Sequence, residues 1–114
     1  MNARLVILSI VSFVVLSALH ANAADCKETT FGKCFSTHGR YAIYDDGDFM
    51  WMVGTKRMLS TTNDDLDKTL ENAGWEDHVI FGDFTVCPTS SYQKGHMQGA
   101  CIQSYRNIRL AKRM

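Results

Sequence analysis

Six side chains of this sequence have the atoms to hold a soft metal ion. Met50, Met52, Met58 and Met97 offer thioethers, and His38 and His96 offer imidazoles. Such donors select copper(I), and Trp51 stands between two of the methionines. A second, overlapping set points to different chemistry. Arg40, Tyr44, Met50, Met52, Lys56 and Arg57 combine a planar cation, a phenol ring, an apolar platform and two further cations. That is the make-up of a face that binds another molecule. Methionine also fills cores with no ligand at all, so the two readings compete with a plain structural one.

Catalysis has less to draw on. Ser36 and His38 would share a strand face, and Asp83 could orient a histidine from a neighbouring strand, but no Gly-x-Ser-x-Gly elbow occurs. The expected disulfides remove the cysteines as nucleophiles. No catalytic residue, enzyme activity or cofactor is therefore expected.

The cysteines are Cys26, Cys34, Cys87 and Cys101, an even number without a Cys-x-x-Cys, which reads as two disulfides and not as a zinc site. The expected pairing is Cys87 with Cys101, across a hairpin loop, and Cys26 with Cys34. The alternative is Cys34 with Cys87 and Cys26 with Cys101.

Residues 1–23 read as a cleaved signal peptide, with Arg4 at the start, an apolar stretch from Leu5 to Leu19, and Ala21-Asn22-Ala23 at the cut. The expected location is periplasmic or secreted, with no membrane span after cleavage. The 12 Lys and Arg against 12 Asp and Glu leave the chain near neutral, and losing Arg4 changes that little. No nucleic-acid partner is expected, because that affinity is built mainly on phosphate neutralisation.

After a cysteine-tethered arm over 24–34, a single domain is expected over 35–110, followed by a basic tail over 111–114 that frays. Phe35 to Tyr44 alternates as a half-buried strand, with Phe35, Thr37, Gly39, Tyr41 and Ile43 on one face and Ser36, His38, Arg40, Ala42 and Tyr44 on the other. Asp45-Asp46-Gly47-Asp48 is a hairpin turn and lacks the spacing of a calcium loop. Phe49 to Val53 and Met58 to Thr61 are strands on either side of a bend at Gly54-Thr55. The two methionines of Phe49–Val53 share one face, with Phe49, Trp51 and Val53 on the other. A helix should start at Thr62-Asn63-Asp64-Asp65 and stop at Gly74, with Leu66, Leu70 and Ala73 as its apolar stripe. His78 to Cys87 forms the fourth strand. In the fifth, Cys101 to Leu110, unbroken alternation puts Cys101, Gln103, Tyr105, Asn107 and Arg109 on one side. Three strands, a helix and two strands is the element order of a small five-stranded Greek-key barrel of the OB-fold type, so the expected fold is all-β with one short helix.

His38-Gly39-Arg40, Val53-Gly54-Thr55-Lys56-Arg57, Gly82-Asp83-Phe84-Thr85-Val86-Cys87-Pro88, Gly95-His96-Met97-Gln98 and Cys101-Ile102 together resemble a group of small exported bacterial proteins of uncharacterised function. The resemblance spans His38 to Asn107 and implies a bacterial periplasmic or secreted location, with no activity attached. The leading expectation is a disulfide-stabilised binding module for an envelope protein or a glycan. The alternatives are a periplasmic copper(I) carrier and a structural or inhibitory partner of an envelope protein.

Overall fold

The computed structural model describes Cys26 and residues 31–113; the expected signal peptide, most of the expected arm and Met114 lie outside the described residues. The elements follow as β1 (Phe35–Tyr44), β2 (Gly47–Met52), β3 (Met58–Ser60), helix α1 (Asp64–Ala73), β4 (His78–Pro88) and β5 (Gln98–Lys112). The structure is mostly β with one short helix among the described residues. The five strands hydrogen-bond in the order β1-β2-β3-β5-β4, and β4 pairs back to β1, so the sheet closes into a ring. The β3–β5 contact is parallel and the others are antiparallel.

β1 serves two neighbours at once, and Gly39 makes this possible. Gly39 lies opposite Met52 on β2 and Gly82 on β4. A Cβ at Gly39 would stand 2.7 Å from Met50 Sδ and 2.8 Å from Phe84 Cδ2, so only a bare backbone lets those two side chains meet inside the ring. They join Tyr41, Leu59, Ile80, Val86 and Ile102 in the core.

The helix forms where its caps dictate. The Asn63 side chain accepts from the Leu66 N–H at 3.0 Å, and Asp64, Asp65 and Asp67 complement the positive end of the dipole. Gly74, at φ 103°, ends it and gives its N–H to the Leu70 carbonyl at 2.8 Å. Leu66 and Leu70 are buried in the ring's core. Truncating Leu70 to Ala would cost about 2–5 kcal/mol.

Three expectations are corrected. The bridges are Cys26–Cys101 and Cys34–Cys87, not Cys87–Cys101 and Cys26–Cys34. Cys87 does lie opposite Cys101 across β4–β5, but β4 has a second neighbour. Phe35 opposite Val86 carries Cys34 to within 4.1 Å of Cys87, Cα to Cα, which leaves Cys101 for Cys26. Met50 is fully buried, so it belongs to the core and not to a binding face or an accessible metal site. The tail does not fray over its described part. β5 runs on to Lys112, and Arg113 gives its backbone N–H to the Asp77 carbonyl at 2.8 Å. The Arg113 guanidinium donates to the carbonyls of Ile43 at 2.9 Å and Trp75 at 3.2 Å and lies 4.7 Å over the Tyr44 ring.

Two disulfides mark a chain that folds in an oxidising, extracellular type of environment. No described helix is long and apolar enough to cross a membrane.

Candidate functional site

The outward positions of β1, β4 and β5 form the most polar surface of the ring, and a bulge builds it. Between Phe81 and Asp83, β4 has Gly82 alone, whereas β5 spends two residues, Asn107 and Ile108, between their partners Arg109 and Arg106. Asn107 takes φ 54°, a left-handed conformation that Asn tolerates better than most residues. Residues three apart on a regular strand face opposite sides. The extra residue turns Arg106 and Arg109 to the same, outer side, opposite Asp83 and Phe81. A second shift between Thr85 and Val86 puts Ser104 outside opposite Thr85 and Tyr105 inside opposite Phe84. The unbroken alternation expected for β5 is thereby corrected.

Register then sets side chains in rows across the strands. One row runs Trp51 (β2), Arg40 (β1), Phe81 (β4), Arg109 (β5). The Arg109 guanidinium lies 5.1 Å over the Phe81 ring, and Trp51, 41% exposed, donates its Nε1–H to the Thr55 carbonyl at 2.9 Å. The next row is His38, Asp83, Arg106, and the third is Ser36, Thr85, Ser104. His38 Nδ1 pairs with Asp83 Oδ1, and Asn107 Nδ2 donates to Asp83 Oδ2 at 2.9 Å. The Asn107 amide, helped by His38 and Arg106, holds the Asp83 carboxyl below the usual carboxylate range. Two hollows of about 470 Å³ and 230 Å³ flank the His38–Asp83 pair, which lines both. Ser36 Oγ is bonded to Thr85 Oγ1 at 3.2 Å, and no hydrogen bond joins it to His38.

The sequence-derived ligand set is divided. Arg40 stands on this face. Tyr44 packs on Phe49, ring centroids 5.7 Å apart, beneath Arg113. Met52 packs against the core. Lys56 and Arg57 line a separate hollow of about 430 Å³ with the β4–β5 loop, where Arg57 donates to Gln98 Oε1 at 2.6 Å and lies 4.7 Å over Tyr92. The metal set is divided as well. Met58, His96 and Met97 share that hollow with the two cations, while His38 is paired with Asp83 elsewhere.

A contrasting polar cluster pins α1 to the ring. Tyr41 Oη lies 2.6 Å from Asp67 Oδ1 and 3.3 Å from Asp48 Oδ2, and it accepts from the Asn63 N–H at 3.0 Å. Burial and the neighbouring Asp48 push the Asp67 carboxyl up to about 7, and burial with Asp67 beside it holds the Tyr41 phenol well above its usual range.

Sequence reasoning missed Arg106, Arg109 and Asn107 as a group. Their shared side depends on a bulge, for which the only local sign is an Asn at a strand centre. Comparison with protein-family models, with curated proteins and with solved structures finds no match to this chain.

Proposed function

We propose that this chain is a periplasmic or secreted, non-catalytic module that binds a glycan on the outward face of β2, β1, β4 and β5. The observation that carries the reading is the row Trp51–Arg40–Phe81–Arg109, flanked by the hydrogen-bonding groups of His38, Asp83, Ser36, Thr85 and Ser104. A sugar ring presents a C–H face that suits an aromatic surface and a rim of hydroxyls that suits planar donors and acceptors. A protein partner would make more use of apolar area, and this face carries little beyond Trp51, Val53 and Phe81.

The strand order and the helix between β3 and β4 support an OB-fold Greek-key barrel, a scaffold that accepts oligosaccharides among other ligands. Scaffold alone carries no function, and the face argued here lies largely beyond the β2–β3 surface such barrels commonly use. The leader-like first residues and the disulfides support the location.

The test is titration of the oxidised protein with soluble polysaccharides, followed by Trp fluorescence and calorimetry, beside Trp51→Ala and Phe81→Ala. Binding that both substitutions weaken supports the reading. Absence of binding, or binding indifferent to both, rejects it. The hollow that joins Met58, His96 and Met97 favours a second reading, copper(I) carriage, although Lys56 and Arg57 in the same hollow oppose a cation. Anaerobic copper(I) titration with Met97→Leu decides it: one tightly bound ion per chain, lost in the variant, is required.

A further inference from the structure

We infer that the glycan this face selects is acidic, with carboxylate-bearing sugars seated between the guanidinium groups of Arg40, Arg106 and Arg109. This rests on the glycan reading above and narrows it.

The chain is neutral in total, but its charges are segregated. Beyond residue 77 the sequence carries Lys94, Arg106, Arg109, Lys112 and Arg113 against a single carboxylate, Asp83. Most of the acids lie instead in the β1–β2 turn, in α1 and just before β4. β1, β4 and β5 together contribute one carboxylate to the ring, and that one is already held by His38 and Asn107. A near-zero net charge therefore conceals a cationic face.

These cations also make no hydrogen bond or ion pair with the described residues. Arg40 is half-buried between Trp51 and Phe81, where its cost of desolvation is real, yet it makes no hydrogen bond or ion pair with any described residue. Arg106 is exposed opposite Asp83, whose oxygens are taken by His38 and Asn107. The Arg109 guanidinium lies 5.1 Å over the Phe81 ring, a cation–π contact that occupies none of its N–H donors with an oxygen acceptor. Contrast Arg57, whose Nη2 donates to Gln98, and Arg113, whose Nη2 donates to two backbone carbonyls while its buried Nε has no partner among the described residues. Those two are structural, and the outer-face three are poised for something external.

Arg40 and Arg109 flank Phe81, one strand away on each side, which sets them roughly 10 Å apart across the sheet. With the Arg109 guanidinium over the Phe81 ring and Arg40 on the strand beyond, an acidic sugar seated between them has a fork-shaped donor on either side. Guanidinium forks match a planar carboxylate in bidentate fashion and also accept a sulfate ester, so both sources of the oxyanion enter the test.

The experiment measures affinity of the oxidised protein for polygalacturonate, for dextran sulfate, for neutral dextran and for polyphosphate, at low and at physiological salt. Wild type is compared with Arg40→Gln, Arg106→Gln, Arg109→Gln and, as a control on the exposed side of α1, Lys68→Ala. Circular dichroism and thermal melting verify that each variant is folded; Arg106, being exposed, keeps the test valid if Arg40→Gln is not. The expected result is that polygalacturonate binds best, that each outer-face Arg→Gln weakens it about tenfold or more, that added salt weakens it further, and that Lys68→Ala leaves it unchanged. Stronger binding of dextran sulfate with the same Arg dependence would replace the carboxylate by a sulfate ester and overturn the stated preference. Equal binding of polyphosphate would reduce the face to a general anion trap and overturn the inference. Neutral dextran binding as well as polygalacturonate, indifferent to salt and to the Arg variants, would overturn it while leaving the glycan reading intact. No polysaccharide binding of any kind would remove both.

Discussion

Asp67 and Asp83 are both half-buried aspartates of one small fold, and their surroundings push them in opposite directions. Asp67 sits among Tyr41, Asp48 and Glu71, where burial and neighbouring acids favour its protonated form. Asp83 sits among Asn107, His38 and Arg106, which favour its charged form. The first region is closed on itself: the Tyr41 hydroxyl joins β1 to the β2 acid and to the helix start. The second is open. Its carboxylate is held internally, and Arg40 and Arg106 make no hydrogen bond or ion pair with the described residues, although the Arg106 charge helps to hold Asp83 ionised. The inner cluster's hydroxyl and carboxylates are bonded to one another, whereas the outer face carries guanidinium groups with no hydrogen bond to the described residues.

If that division is right, stability resides in the clasps and the inner network and not in the outer-face cations. The largest effect should come from Cys34→Ser with Cys87→Ser. Losing a bridge that closes a long loop costs about 2–5 kcal/mol, read by urea denaturation. Tyr41→Phe comes next, because it removes the hydroxyl shared by Asp67, Asp48 and the Asn63 N–H. We expect about 1–3 kcal/mol and no change in any binding by the outer face. A neutral Tyr41→Phe would show the network to be incidental and break the comparison from its closed side.

The closed region also carries a signature in pH. The Asp67 carboxyl is raised from an ordinary 3.8 to about 7, so in that window the folded chain holds more protons than the unfolded one. Its contribution to stability is therefore greatest at the acid end and is lost as pH rises through about 7. Asp83, lowered, contributes with the opposite sign, and its share is lost as pH falls. Asp67→Asn should flatten the decline in melting temperature between about pH 4 and about pH 8 and raise stability at the alkaline end. A slope unchanged by Asp67→Asn would mean that another group controls it.

How much of this could be read in the sequence differs between the two regions for a physical reason. The helix bounds, its Asn63 cap and its Gly74 stop were legible because capping is local: the residue types and the backbone they need are neighbours in the chain. The alternation of β1 was legible on the same ground, and it placed Arg40 and Tyr41 on opposite sides, as the buried Tyr41 and the outward Arg40 bear out. The burial of Met50 was not, since both faces of Phe49–Val53 are apolar and only the ring's curvature, set by Gly39, decides which side is inside. The disulfide pairing was not, because a strand in a closed sheet has two neighbours and local spacing considers one of them. The cationic face depended on a β5 bulge, a fact of register with a partner strand, and no local periodicity contains it.

The smallest stability effect is expected where the largest binding effect lies. Arg106 is exposed, opposite an Asp83 whose oxygens are bound by His38 and Asn107, so Arg106→Gln should change unfolding free energy by no more than about 0.5 kcal/mol. A surface cation kept for structural reasons would have a partner whose loss is felt. Tyr41→Phe removes contacts that nothing external can restore, whereas Arg106→Gln loses only a solvent-screened attraction to Asp83. Thermal melting of Arg106→Gln beside Tyr41→Phe measures both in one experiment. Should Arg106→Gln prove the more destabilising of the two, the outer face would be part of the scaffold, and the open region would have to be sought in the hollow beside Lys56 and Arg57.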